Sequence, residues 1–515
     1  MFDGSSRECK GSQAAREAEG GGTGLGVALV LEEGYACARM EFAGEVCYIS
    51  MANAKEGAMS KRLELIWPNK DKVLLALDEN GKPIWGTKAD LEPRLLVQLE
   101  AVGETNRDKL HDLYDQGDNL LIKADNLLAL KALERHFAGK IKCIYIDPPF
   151  NTGNAFQHYD DGLEHTIWLS MMKARLEILK TLLASDGSIY LHLDATEVHY
   201  GKVLMDEIFG RSCFQREVVW RIGWISGFKT QASNFIRNHD TILFYTKHPT
   251  KFLFNKSFIP YPEGYRRRDG SEPKGRGYPL EDTWNCSDID RLDSIQIMSF
   301  SGEKTGFMTQ KNENLVARTI QSSSDEGDWV LDSFLGSGTT AATAHKLNRR
   351  WIGIELSDQA EVFALPRLKR VVTGEDQTGI SKQVGWSGGG GFRYCVLGES
   401  LFAKDKDTGL VMMNPQYTNG PLIAAVCNLE DFALNGDSLF QGVRGNTYAH
   451  ITEGKVTQGY VDALLGRLPD SKSLVVYCLK RATGLGVWER VKVKRIPKEL
   501  QIPRYLTKGA KRDVE

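Results

Sequence analysis

Residues Asp328 to Ala344 read "DWVLDSFLGSGTTAATA". The apolar run Trp329–Leu331 ends at Asp332, Gly336 and Gly338 bracket a turn, and Thr339 opens a run of small helix-compatible residues. This order predicts a strand, a tight turn and a helix, with small residues where a ligand can approach the backbone and the helix N-terminus. A glycine turn alone is a weak signal. Its weight comes from Glu355, 17 residues beyond Gly338 at the end of the next predicted strand, "RWIGIEL". A carboxylate there can accept hydrogen bonds from both hydroxyls of a ribose. The pair predicts a nucleoside-bearing cofactor, with NAD and S-adenosylmethionine both open.

Working outward, the same alternation recurs. "LLIKAD" reads as a strand ending at Asp125, and Leu127, Leu130, Leu133 and Phe137 then recur at helical spacing before the strand "IKCIYID". Leu169, Met172, Leu176, Leu179 and Leu183 mark a long amphipathic helix. "SIYLHLD" (188–194), a helix near 196–209, strands near 216–224 and 240–246, and a helix near 313–322 follow. Strands alternating with helices predict a doubly wound, mostly parallel, Rossmann-like α/β sheet covered on both faces. The periodicity fails between 250 and 305, where Arg266, Arg267, Arg268, Lys274 and Arg276 are interleaved with Tyr261, Tyr265, Tyr278 and Trp284. That composition suits phosphate contact and base stacking, and long insertions in compact domains are usually functional or disordered.

Residues 1–58 are Gly-rich and aperiodic, so they are expected to be a disordered extension, with Met59 as a candidate start. "GGTGLGVALV" within them imitates a dinucleotide fingerprint but lacks the preceding strand and the acidic residue. Gly81–Gly86 followed by Thr87 and Lys88 transposes the Lys and Thr of a phosphate-binding loop, so no ATPase motor is expected. Residues 59–118 form an N-terminal segment. The α/β pattern divides into 119–249, the 250–305 insertion and 306–375. "VGWSGGGGFRY" reads as a linker into a separate C-terminal α+β domain, 376–515.

In 515 residues, 42% of them apolar, there is room for two to four ordinary cores. Nine cysteines contain no C-x-x-C pair and are odd in number, arguing against a disulfide framework or a Cys-rich zinc site; no metal is expected. No apolar run approaches the roughly 18 residues of a membrane span. The N-terminus, with Asp3, Arg7, Glu8 and Lys10, lacks a signal-peptide pattern. A cytoplasmic chain with reduced thiols is the expectation. The net charge of −2 averages over a local asymmetry: residues 480–512 hold eleven Lys and Arg against Glu489 and Glu499. Such a basic tail can meet phosphates.

The stretch "CIYIDPPFNTGN" (143–154) narrows the chemistry. Two prolines remove two backbone donors and fix two φ angles, so the chain leaves the strand in one stiff shape. An exocyclic amino group on a base has its lone pair delocalised into the ring and is a poor nucleophile. Asp147 and the carbonyl of Pro148 can each accept one of its N–H groups, localising that lone pair. Phe150 offers a face for a base that must leave the duplex to be reached. No covalent intermediate is required.

In their order, "LLIKADNLLALKAL", "CIYIDPPFNTGN", "DGSIYLHLD", "TQKNENL", "DSFLGSGTTAATA", "RWIGIEL" and "GGGFRYCVLGESLF" resemble the blocks of the β-group amino-DNA methyltransferases. Within that group they resemble the modification subunit of type III restriction-modification systems, over about Met59 to residue 505. The resemblance implies a site-specific, adenine-N6 DNA methyltransferase using S-adenosylmethionine on duplex DNA. It further implies a homodimer that can join a separate ATP-dependent restriction subunit. Residue by residue, it places Asp147, Pro148, Pro149 and Phe150 around the target adenine. Phe334, Gly336, Gly338, Thr339 and Lys311 would lie near the methionine part of the cofactor, Asp332 near its amino group, Glu355 on the ribose and Asp125 near the cofactor adenine. Phe150 replaces the commoner Tyr, Ala124 a usual Gly, and Ser333 and Asn312 two usual prolines. Rival readings are an N4-cytosine enzyme, whose proline turn usually opens with Ser, a methyltransferase acting on RNA or on protein glutamine, and a DNA-binding remnant without cofactor affinity.

Overall fold

A computed structural model of the chain describes residues 26–32, 35–42, 45–51, 63–78, 82–91, 94–105, 117–151, 155–156, 159–160, 164–221, 233–284, 301–356, 358–398, 402–404, 411–413, 420–435, 437 and 439–496. They fall into two units, Met1–Trp67 and Pro68–Glu515. In the first, Gly26–Glu32, Tyr35–Phe42, Glu45–Met51 and Leu63–Ile66 form an antiparallel sheet in that order. The expectation of an aperiodic extension is therefore corrected between 26 and 51. Short runs such as "YACARMEF" carry strand-forming residues, which the surrounding glycines obscured.

The second unit is built on a ten-stranded sheet. Its strands are β1 (Leu96–Gly103), β2 (Asn119–Lys123), β3 (Ile141–Ile146), β4 (Leu183–Leu193), β5 (Phe214–Arg221), β6 (His239–Thr246), β7 (Thr283–Trp284), β8 (Trp329–Asp332), β9 (Arg350–Glu355) and β10 (Gly391–Leu397). Their order across the sheet is β7-β5-β6-β4-β3-β8-β9-β2-β10-β1. From β4 to β10 every neighbouring pair is parallel. The outer pairs β4–β6, β6–β5 and β10–β1 are antiparallel. Central strands of such a sheet are buried on both faces, and β3 buries Ile141, Cys143, Ile144, Tyr145 and Ile146.

Helices α1 (Asn126–Phe137), α2 (His165–Leu182) and α3 (Val198–Phe209) pack in succession, as do α4 (Glu313–Ser323), α5 (Thr339–Lys346) and α6 (Leu365–Thr373). Cys143 and Tyr145 share a core with α4, α5 and α6. Their alternates Ile144 and Ile146 point to the other face. Among the described residues, no helix is long and apolar enough to cross a membrane. The described cysteines Cys143, Cys213, Cys395, Cys427 and Cys478 are unpaired and buried.

The linker expected around 384–394 is instead part of this sheet. Phe392, Tyr394 and Cys395 are buried in β10 between β1 and β2. The glycine run that looked flexible is a close approach: a Cβ on Gly391 would lie 2.4 Å from the Val102 carbonyl. The C-terminal layer begins later. A short strand, Ala433–Leu434, and strands β11 (Gly442–Arg444), β12 (Thr447–Val456), β13 (Ser473–Arg481) and β14 (Val491–Arg495) form its sheet, with α7 (Gly420–Leu429) and α8 (Gln458–Leu465) beside it. β12 and β13 are parallel and joined through α8, an α/β-type crossover, whereas β11 and β12 are antiparallel, so this layer is a mixed sheet with helices beside it and not a simple α+β arrangement. Of the basic tail, residues 497–512 lie outside the described residues.

A buried ionic cluster ties α4, α5 and α6 together. Arg367 Nη2 donates to Glu313 Oε1 at 2.9 Å and to Glu303 Oε1 at 3.3 Å, and Lys346 Nζ donates to both Glu313 oxygens at 3.0 Å. Burial, and the Glu313 charge beside it, push Glu303 up to about 7 even though Arg367 pulls it back. Removing one partner from a buried ionic group leaves uncompensated charge. Arg367→Met is therefore expected to lose about 3–5 kcal/mol of stability, read from the urea unfolding midpoint.

Candidate active site

Strand β3 sends its chain through α2 to β4 on one side, whereas β8 sends its chain through α5 to β9 on the other. The two are parallel neighbours, so their carboxyl ends flank a crevice that neither connection covers. Asp147 follows β3 and Asp332 ends β8. A cavity of about 230 Å³ lies there, lined by Asp125, Asp147, Pro149, Lys311, Asp332, Phe334, Gly336, Thr339 and Glu355 among others. Thus nine residues singled out from sequence stretches up to 230 positions apart share one wall. A second cavity of about 560 Å³, between β5, β6 and the 252–284 segment, holds none of them.

The glycine loop is shaped by its own backbone. Leu335 N–H donates to the Ile354 carbonyl at 3.0 Å, and Gly336 N–H to Glu355 Oε2 at 2.8 Å, which fastens the loop to the end of β9. Gly338 has φ +83° and caps α5, and a Cβ there would meet Ala364 at 3.3 Å. Gly338 itself does not line the cavity, but it turns the chain into the helix that follows. Thr339 Oγ1 donates to the Lys311 carbonyl at 3.0 Å and accepts from Arg367 Nη1 at 2.9 Å.

Asp332 is almost wholly buried. Its carboxylate accepts from Thr340 Oγ1 at 2.6 Å and from Phe334 N–H at 2.9 Å. Burial pushes its pKa up to about 7; those two bonds oppose the shift, and the charges of Asp147 and Glu355 add to it. Asp125 caps α1 through Leu127 and Leu128 N–H at 2.9 and 3.2 Å and meets Arg175 Nη2 at 3.2 Å. Arg175 also donates to Asn126 Oδ1, and Asn126 Nδ2 donates to the Ser333 carbonyl at 2.7 Å. That chain of contacts joins α2, α1 and the glycine loop.

The Pro-Pro turn is held from below. Trp168 Nε1 donates to the Pro149 carbonyl at 2.8 Å. Asn151 sits at φ +59°, with its Nδ2 on Glu197 Oε1 at 2.7 Å, and His165 Nδ1 meets the same oxygen at 3.0 Å. Phe150 lies over His192, with ring centroids 5.8 Å apart. His192 is fully buried, sharing a 2.7 Å hydrogen bond with Tyr145 Oη and lying 3.4 Å from Asp240. It is a packed histidine with polar partners. Asp194 accepts Thr196 N–H at 2.8 Å at the entry to α3.

Asp147 Oδ2 accepts from Lys311 Nζ, whereas Asp147 Oδ1 is buried without a partner. The Ser333 hydroxyl is likewise buried and unpartnered, on a residue that lines the cavity. Among the described residues no cluster could hold a metal ion. Arg266, Arg267, Arg268, Lys274 and Arg276 are all exposed and away from this cavity. They surround a tyrosine cluster in which Tyr261 stacks on Tyr265 at 5.1 Å and meets Tyr278 at 4.8 Å. Residues 285–300 of the insertion lie outside the described residues.

Sequence reasoning missed Trp168, Arg175, Asn126, Glu197 and His165. Arg175 alone left a trace, a cation on an otherwise apolar helix face.

A family model described as "DNA methylase", for N6 and N4 enzymes, matches residues 141–364, from the start of β3 to the turn before α6. The Type II methyltransferase M.HpaI of Haemophilus parainfluenzae is 32% identical over 50% of this chain and 77% of its own. The probable type III restriction-modification enzyme HindVI Mod subunit of Haemophilus influenzae is 33% identical over 58% of this chain, which spans 56% of that subunit's length. The crystal structure of the M1.HpyAVI–SAM complex is 21% identical over 48% of this chain and 98% of its own, with a TM-score of 0.34. An α/β sheet with a switch-point crevice, a glycine loop and an Asp-Pro-Pro turn defines a class of group-transfer enzymes acting on amino groups. The chain belongs to the N6/N4 DNA methylase family.

The contact beneath the turn has a measurable role. Trp168→Phe keeps an aromatic group but trims the buried indole to a phenyl, and it deletes the N–H on the Pro149 carbonyl, a bond of about 1 kcal/mol. Methyl transfer is expected to slow about fivefold with cofactor binding unchanged, measured by single-turnover assay beside calorimetric titration.

Proposed function

We propose that this chain is the modification subunit of a type III restriction-modification system, methylating N6 of adenine at a specific site in duplex DNA. The observation that carries the reading is Asp147 Oδ1, a buried acceptor without a partner, on a residue that lines the same cavity as the glycine loop. S-adenosylmethionine, whose sulfonium carries an electrophilic methyl group, fits the buried Asp332, the unpartnered Ser333 hydroxyl and the side-chain-free glycine cradle. Asp332 would hold its ammonium, Glu355 its ribose and Asp125 the region of its adenine. Phe334, Gly336 and Thr339 would line the methionine end.

On the DNA side, the exposed Arg266, Arg267, Arg268, Lys274 and Arg276 would take the phosphates, and the flipped base would stack on Phe150. Its amino group would give one N–H to Asp147 Oδ1 and one to the Pro148 carbonyl, since Trp168 already occupies that of Pro149. When bound, the cofactor would supply an electrophilic methyl group to the nitrogen lone pair, which would form the N–CH₃ bond as the S–CH₃ bond breaks. The surplus proton leaves along the hydrogen bond to Asp147 Oδ1 and passes to solvent. An aspartate at the head of the turn favours adenine over N4 of cytosine. The chain would act as a homodimer in the cytoplasm and join a restriction subunit that moves along and cuts DNA.

Single-molecule sequencing of genomic DNA from cells expressing the chain alone is expected to show N6-methyladenine in one short asymmetric motif. In the purified enzyme, Asp147→Ala should lose at least roughly 10²–10³ of the rate and keep cofactor binding. Modified cytosine, or wild-type turnover in the variant, would overturn the reading. Asp332 supplies a second expectation. Its neutral form dominates below about 7, and an ammonium partner favours the carboxylate. Cofactor affinity should therefore rise as pH increases toward 7, by at most about tenfold per unit, and level off above it. It should fall again once the cofactor amine loses its proton, near 8 for an ordinary α-amino group. Calorimetric titrations from pH 6 to 8 test this, and Asp332→Asn should flatten the acid limb.

A further inference from the structure

The carboxylate that would receive the target amino group is already engaged on one side. Lys311 Nζ bonds Asp147 Oδ2, and the two side chains are only 8% and 17% exposed. The same ammonium stands 5.1 Å from the centroid of the Phe150 ring. The backbone of Lys311 is fixed from the other side of the crevice, because its carbonyl accepts from Thr339 Oγ1 at the first residue of α5. Lys311 therefore bridges the glycine-loop side of the crevice and the proline turn. Asp147 Oδ1 remains buried and unpartnered.

We infer that Lys311 is a positioning residue for methyl transfer: it fixes the Asp147 carboxylate through Oδ2 so that Oδ1 alone receives the target amino group. The inference rests on the reading of Asp147 as that acceptor. An aspartate χ2 torsion is broad, so a carboxylate attached only at its Cβ samples many orientations. A charge-assisted hydrogen bond from a buried ammonium restricts it to one. The aim of Oδ1 is then set before the base arrives, and no reorientation is needed during the reaction. By its position over Phe150, the cation also restrains the ring on which the base would stack. The role differs from the one the family resemblance implies, in which Lys311 belongs to the methionine end of the cofactor. The two roles separate experimentally. A cofactor ligand, when lost, weakens cofactor binding; a residue that aims Asp147 lowers kcat and leaves that binding alone.

The test uses the full-length chain, wild type beside Lys311→Met, Lys311→Arg and Asp147→Ala, on duplex DNA carrying the motif found by sequencing. Lys311→Met is expected to lower kcat roughly 10²-fold while the Kd for S-adenosylmethionine stays within about twofold. Lys311→Arg, which keeps a cation and donors in reach, should recover most of that rate. Wild-type kcat in Lys311→Met, or a rate loss matched by equally weakened cofactor binding, would overturn the inference. Failure of Lys311→Arg to improve on Lys311→Met while both fold normally would also count against it. Wild-type turnover in Asp147→Ala would instead sink the reading of the site itself.

Discussion

Two neighbouring parallel strands whose connections run in opposite directions cannot have their carboxyl ends covered by either connection, and every feature of the site follows from that opening. β3 delivers Asp147 to it and β8 delivers Asp332. Placing two carboxylates in one partly desolvated crevice is costly, because each disfavours the other's charge. The protein offsets the cost unequally. Asp147 receives the Lys311 ammonium, whereas Asp332 receives only a hydroxyl and a backbone N–H, which only partly oppose the burial that pushes its pKa up to about 7. A cationic ligand group beside Asp332 would supply the missing compensation.

One helix supports both halves of the crevice. His165, Trp168 and Arg175 are spaced by three and seven residues along α2, so they fall on one stripe of its surface. The first meets Glu197, which also holds Asn151; the second holds the Pro149 carbonyl; the third reaches Asp125 and Asn126 at the glycine-loop wall. A rigid rod through the domain core thus sets the distance between the proline-turn side and the glycine-loop side of the crevice. Methyl transfer between two separately bound molecules needs that distance to be constant.

Outside the aperiodic insertion, which hid β7, the order of the main strands and helices from Asn119 to Glu355 was legible in the text because hydrophobic periodicity is a local signal. "IKCIYI" and "RWIGIE" could hardly be anything other than buried strands. The candidate site was legible at its strand ends, where Asp147, Asp332 and Glu355 terminate apolar runs. What remained hidden was set by contacts between distant segments. Lys311 and Asp147 are 164 residues apart, and nothing near Lys311 marks it as a partner for a carboxylate. The glycine run 388–391 misled because glycine signals flexibility and close approach alike, and only the pairing of β10 with β1 decides between them. The exposed arginines of the insertion carried a compositional signal, but a composition has no geometry.

Asn312 and Ser333, the two positions where the resemblance implies prolines, show how a stiff turn can be held by other parts. Asn312 adopts φ −86°, within reach of the proline range, and its side chain accepts the Leu315 N–H at 2.8 Å. It exchanges a locked torsion for a helix cap, which is worth about 1 kcal/mol. Because the residue before it is Lys311, that cap also steadies the base of the side chain that reaches Asp147. At Ser333 the torsional restraint is replaced by Asn126, which grips the carbonyl. The serine adds something proline lacks, a buried hydroxyl with no protein partner, on a residue that lines the cavity. Leaving such a group unpaired costs about 1–3 kcal/mol. A polar ligand atom arriving there would recover part of that cost, so the substitution that loosens the turn also favours an occupied cavity.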